Sequence, residues 1–183
     1  LVEKGAQHLV LLSRSGLSER SQPIVQALEA EGAQVVVAKA DIASAADMRR
    51  VFTQTLVELP PLKGIVHAAG VLDDGLLQQQ TWERFSKVMA PKIKGAWHLH
   101  HLSQQVDLDI SLDFFVLFSS AAALLGSPGQ SNYAAANAFM DGLAQQRQAQ
   151  GLPALSINWG TWAETGMAAS LGEPEQNRLR ALG

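Results

Sequence analysis

The stretch Phe114-Phe115-Val116-Leu117-Phe118-Ser119-Ser120, continued by residues 121–140 (AAALLGSPGQSNYAAANAFM), decides the fold. Its first five residues are apolar, rich in aromatics and too few for a globular helix, which predicts a buried strand closed by Ser119 and Ser120. Gly126-Ser127-Pro128-Gly129 then reads as a turn, and Asn132-Tyr133-Ala134-Ala135-Ala136-Asn137 opens an alanine-rich helix. Tyr133 and Asn137 lie one helical turn apart and share a face. A hydroxyl at the carboxyl end of a strand, with a tyrosine and an asparagine brought back by the next helix, marks the end of a sheet where α/β proteins bind ligands. Taken singly, the serines are strand terminators, and Tyr133, the only tyrosine in the chain, is an amphipathic core residue.

Working outward, residues 1–7 read as the tail of a helix with Gly5 at its C-cap. His8 to Ser13 is a strand, Pro23 to Glu31 a helix, Gln34 to Ala38 a strand and Ala45 to Glu58 a helix stopped by Pro60-Pro61. Gly64 to Ala69 is a third strand. A long helix follows from about Thr81 to Gln105, which Pro91 should bend or divide. After the Phe114 strand and the Asn132 helix, closed by Gly151, Ala154 to Asn158 is the last strand, with Trp159 and Trp162 in the loop beyond it. Strand and helix alternate with connections too long for hairpins, which predicts a parallel sheet covered on both faces and a single α/β domain.

Composition narrows the function classes. Of 183 residues, 47% are hydrophobic and 17% charged, which suits a packed core and not a disordered chain. A net charge of -3 gives no electrostatic reason to expect nucleic acid or an anionic membrane as partner. Without cysteine there are neither disulfides nor thiolate metal sites, which is compatible with a reducing cytoplasm. No apolar run approaches the ~18 residues of a membrane span, and no signal peptide opens the sequence. His8, His67, His98, His100 and His101 lack carboxylates at ligand spacing, so no metal is assigned.

Six stretches, in order, resemble the ketoreductase domain of modular type I polyketide synthases, within the short-chain dehydrogenase/reductase superfamily. They are HLVLLSRSG, KADI, GIVHAAGVLDDG, PKIKGAWHLH, FVLFSSAAALLGSPGQSNYAAANAF and INWGTWAETGM. The resemblance implies a Rossmann-like, three-layer, doubly wound parallel sheet. It also implies NADPH-dependent reduction of a β-ketoacyl chain held by phosphopantetheine on an acyl carrier protein, beside other synthase domains that include a structural ketoreductase subdomain. Tyr133 would be the general acid and Ser120 a donor to the same ketone oxygen, with a lysine cation favouring the phenolate. Simpler relatives carry that lysine four residues after the tyrosine, where this chain has Asn137; the resemblance moves it to Lys92. Lys94 is the competing choice by spacing alone, about 200° away around a helix.

The same resemblance assigns the cofactor contacts. Ser13 and Arg14 would meet the 2′-phosphate of NADPH, where a guanidinium can pair with the phosphate oxygens. Asp41 and Ile42 would contact adenine, although Asp41 reads equally as a helix N-cap. Ala69 and Gly70 would let backbone approach the ribose and nicotinamide. Leu72-Asp73-Asp74 matches the marker of the B stereochemical class, which gives a D hydroxyl. Leu125 occupies the position, eight residues before Tyr133, of the tryptophan that marks the opposite class. Trp159 would contact substrate or simply pack in the core, and Trp162 likewise.

No glycine is followed two positions later by another, so the sequence holds no G-x-G-x-x-G. The family carries that loop after a first strand, just upstream of the matching region. The expectation is therefore an N-terminally truncated fold, residues 1–183 being one incomplete ketoreductase domain of a larger synthase that binds NADPH weakly by itself. Two other readings compete: a catalytically silent scaffold domain, and a stand-alone dehydrogenase acting on a free small molecule.

Overall fold

A computed structural model describes residues 1–160 of the chain. Five strands alternate with helices: β1 (His8–Ser13), α1 (Gln22–Ala30), β2 (Gln34–Lys39), α2 (Ala45–Arg50), β3 (Gly64–His67), α3 (Trp82–Met89), α4 (Gly95–Leu102), β4 (Phe114–Ser120), α5 (Ala122–Leu125), α6 (Ser131–Ala149) and β5 (Leu155–Trp159). The pairings are parallel where they join β1 to β2, with His8 opposite Gln34, and β4 to β5, with Val116 opposite Leu155. The strands form two sheets, β1-β2 and β3-β4-β5, with no shared neighbour between β1 and β3 among the described residues, as expected of a fold that lacks its central first strand. Among the described residues, no strand pairs with the other edge of β1 or of β3.

The chain falls into two compact units, residues 1–65 with 93–115, and residues 66–92 with 116–183. In the first, Ala38, Ala40 and Val51 form a buried cluster joined by Val10. Ser44 caps α2 by accepting Asp47 N–H at 3.2 Å, while the Asp47 carboxylate reaches back to Asp41 N–H at 2.9 Å. The expected helix over 45–58 keeps its span but changes type, from α to a π turn at Val51–Thr55 and a 3₁₀ turn at Leu56–Glu58. Residues Val2–Lys4 form a single 3₁₀ turn ended by Gly5 at φ 97°, the left-handed cap that its sequence predicts.

In the second unit, α3, α5 and β5 all pack against α6. Ala136, Met140 and Leu143 of α6 and Leu117 of β4 are buried. Arg147, also buried, donates from Nε to Pro153 O at 3.1 Å and ties the end of α6 to the approach to β5. The long helix divides at Pro91 as expected, through a π turn (Ala90–Lys94), because proline supplies no N–H to the α ladder. A short α5 that the sequence pattern does not announce precedes the turn at Gly126. Trp159 ends β5 instead of following it, its ring tilted 5.4 Å from that of Phe118. Trp162 lies outside the described residues. No helix among those described is long and apolar enough to cross a membrane.

Candidate active site

The π turn at Pro91 sets the site, because it fixes the phase of the two candidate lysines. Lys92 is turned inward, 2% exposed, and Lys94 is exposed on the surface. Lys92 donates from Nζ to Phe118 O of β4 at 3.1 Å, and the same Nζ stands 5.3 Å from the centre of the Tyr133 ring. Tyr133, in the first turn of α6, is buried, with the side chains of Asn137 and Ser120 near enough to its phenol to favour the ionised form. Asn137 also donates from Nδ2 to Tyr133 O at 2.8 Å, and its buried Oδ1 has no partner among the described residues. Ser120 Oγ accepts Ala122 N–H at 3.2 Å. The four residues named from sequence thus come from three elements and meet in one unit.

Burial governs the electrostatics. It pushes the Tyr133 phenol above its usual range, and the nearby Asn137 and Ser120 side chains offset only part of that, so the phenol is protonated near pH 7. Burial also brings the Lys92 ammonium down to about 8, partly offset by the negative charge of Asp141. Asp141 in turn accepts Asn158 Nδ2 at 2.9 Å and the Ser156 hydroxyl. His67, at the end of β3, is buried with an unpartnered Nε2; desolvation and the Lys92 charge lower it to about 4, so it is neutral near pH 7. Among the described residues no cluster of histidines and carboxylates is arranged to hold a metal ion.

The Leu72-Asp73-Asp74 loop is clamped, not solvated. Asp73 accepts Arg84 Nε at 2.7 Å and Lys87 Nζ at 2.8 Å, both from α3, and these cations hold its carboxyl below the usual carboxylate range. Asp74 accepts Gln130 Nε2 at 2.8 Å, and Gly75 N–H reaches Gly129 O at 2.8 Å. Asn132, fully buried, donates from Nδ2 to Asp73 O at 2.8 Å. Leu125 projects into solvent, 86% exposed. Sequence reasoning passed over Asn132, Arg84 and Asp141; the one local signal was a buried-type position for Asn132 directly before the tyrosine.

Of the expected cofactor contacts, Arg14 is exposed and forms no ion pair among the described residues. Ser13 and Ser15 beside it line a cavity of about 190 Å³ with Ser18, Ser21, Leu11 and Val37. Asp41 is not the α2 N-cap, which is Ser44; its Oδ1 closes a local turn onto Ala43 N–H at 2.9 Å. Ile42, Ala69, Gly70 and Leu72 are half-buried, the three last in irregular backbone after β3.

The parallel α/β architecture brings a strand-end serine, a helix tyrosine and a buried lysine together in one unit. The chain belongs to the ketoreductase (KR) domain family of modular polyketide synthases: the KR domain profile matches residues 1–164. It is 43% identical over its whole length to polyketide synthase GfsB of Streptomyces halstedii, of which it spans 3%. It is 43% identical over 98% of its length to the phenolphthiocerol synthesis polyketide synthase type I Pks15/1 of Mycobacterium marinum, of which it spans 8%. Among solved structures, A-type ketoreductases from a modular polyketide synthase superpose with a TM-score of 0.88 at 41% identity, over 100% of this chain and 37% of theirs.

Proposed function

We propose that this chain carries the catalytic part of an NADPH-dependent reductase. Its substrate is a β-ketoacyl chain tethered to an acyl carrier protein, and its product the β-hydroxyacyl chain of D configuration. The observation that carries the reading is the Lys92–Tyr133 pair, an ammonium 5.3 Å from the centre of a buried phenol ring, with Ser120 and Asn137 beside it. A buried lysine has little reason to lie there for stability, since desolvation opposes its charge.

In this reading the substrate ketone oxygen accepts from the Tyr133 and Ser120 hydroxyls. The phenol keeps its proton until negative charge develops on that oxygen, then donates it, and the Lys92 charge beside the ring stabilises the phenolate left behind. When bound, the reduced nicotinamide supplies the hydride. Arg14, exposed at the end of β1 and without an ion pair among the described residues, fits a 2′-phosphate and so favours NADPH over NADH. The Leu72-Asp73-Asp74 loop and the absence of tryptophan at Leu125 support the D product. Partner domains and the carrier protein follow from the synthase relatives, of whose length this chain is a small part.

Tyr133→Phe tests the assignment. Turnover of a β-ketoacyl thioester with NADPH, assayed in the native polypeptide, is expected to fall by about 10²–10⁴-fold, the usual worth of a general acid, with the melting temperature little changed. Near-normal turnover in that variant overturns it.

A further inference from the structure

Lysine is an unfavourable residue to bury, and Lys92 stays turned inward only while its backbone is held in that phase. One hold is on β4, where Lys92 Nζ donates to Phe118 O at 3.1 Å. That bond fixes the head of a flexible four-carbon stem, not the Ala90–Lys94 turn that carries it. The neighbouring strand offers a second hold. His67, the last residue of β3, is 3% exposed, and the carbonyls of Pro91 and Lys92 lie near enough to its ring to favour the charged form. Burial and the Lys92 charge outweigh them, so the ring is neutral near pH 7 and carries one proton. Its buried Nε2 has no partner among the described residues, which leaves Nδ1 as the nitrogen able to serve the turn. β3 and β4 are neighbours in one sheet, so both holds share a support. From the other side, α6 presents Tyr133 and Asp141 to the same ammonium.

We infer that His67 is a positioning residue: it holds the Ala90–Lys94 turn against the end of β3 and thereby keeps the Lys92 ammonium over the Tyr133 ring. This role rests on the reductase reading above and deepens it. The histidine touches neither the phenol nor the ketone, and acts only through where it keeps the lysine.

Side-chain amides separate the two ring nitrogens, because asparagine sets an N–H near the place of Nδ1 and glutamine near that of Nε2. Three variants of the native protein therefore test the role. His67→Leu removes both nitrogens, His67→Gln keeps the idle one, and His67→Asn keeps the one that serves the turn. The readout is the titration of Lys92, followed by NMR of carbon-labelled lysine and assigned with Lys92→Met. In His67→Leu and His67→Gln, Lys92 should swing toward solvent and titrate at least about one unit above its value of about 8, while kcat falls about ten-fold or more. His67→Asn should restore both. A folded His67→Leu in which Lys92 still titrates at about 8, or lower, overturns the inference, since an apolar neighbour beside a lysine that has not moved can only depress it. If His67→Leu does not fold, His67→Gln decides by the same titration. If the wild type reduces nothing, the reductase reading falls, and the Lys92 titration still decides whether His67 holds the turn.

Discussion

Lys92 is a cation held where its surroundings oppose charge. Burial takes it from 10.5 to about 8, roughly 2.5 units, which at about 1.4 kcal/mol per unit is a penalty on the order of 3 kcal/mol. The sign follows from linkage: below pH 8 the residue is protonated folded and unfolded, so the folded state bears the whole penalty. Between pH 8 and 10.5 the unfolded chain binds more protons, and this group's penalty disappears as pH rises. Lys92→Met should therefore stabilise the fold near pH 7 by about 1–3 kcal/mol, after allowing about 1 kcal/mol for the lost bond to Phe118 O, while abolishing turnover. The gain should shrink toward pH 10. A thermal melt at pH 7 showing no gain or a loss sinks the argument. At this scale the sequence was legible where partners are near. Ser120, Tyr133 and Asn137 were named from a strand end and a helix turn; spacing left Lys92 and Lys94 open, the family resemblance favoured Lys92, and it is Lys92 that is buried. Asn132 was not legible, because its partner Asp73 stands 59 residues away and no local pattern announces the bond.

Elements were legible by periodicity and proline, and less so where packing chooses among helix types. Residues 45–58 kept their helical span, yet the passage through π and 3₁₀ turns has no signature in the hydrophobic spacing. Pro91 did announce its break, since a residue without N–H cannot continue the α ladder. The α5 turn was missed because four residues are too few for a periodic pattern. Adjacent strands show a tighter constraint. The Phe114 ring of β4 covers Gly64 of β3, and a Cβ there would come within 1.9 Å of a ring carbon. Gly64→Ala must therefore expel the ring, which at 39% exposure has room to move outward. The expected cost is about 1–3 kcal/mol in urea unfolding, most of it recovered when Phe114→Ala is added. Equal losses in the single and double variants would show that the ring is not the obstacle.

For the whole molecule, the sequence revealed the strand–helix alternation and the parallel pairing, and the family strand order announced the gap between the strands at His8 and Gly64, since the strand that would join them is missing. β1 pairs only with β2 and β3 only with β4 among the described residues. Leu11 and Leu12 on β1 and Val66 on β3 are each more than a third exposed, and one edge of each strand carries backbone groups without a ladder. The sequence also lacks the glycine-rich turn that lets backbone N–H groups approach a pyrophosphate. In the proposed reading Arg14 meets the 2′-phosphate end of the cofactor, but the pyrophosphate has no helix N-terminus assigned to it. A dinucleotide held by its adenosine end alone forgoes most of the charge-assisted bonds that give such sites their affinity. This chain is therefore expected to bind NADPH only weakly, with fast hydrogen exchange along β1 and β3. Fluorescence titration reads the first and exchange mass spectrometry the second; micromolar NADPH affinity in the chain alone would mean that the pyrophosphate finds its partners here after all.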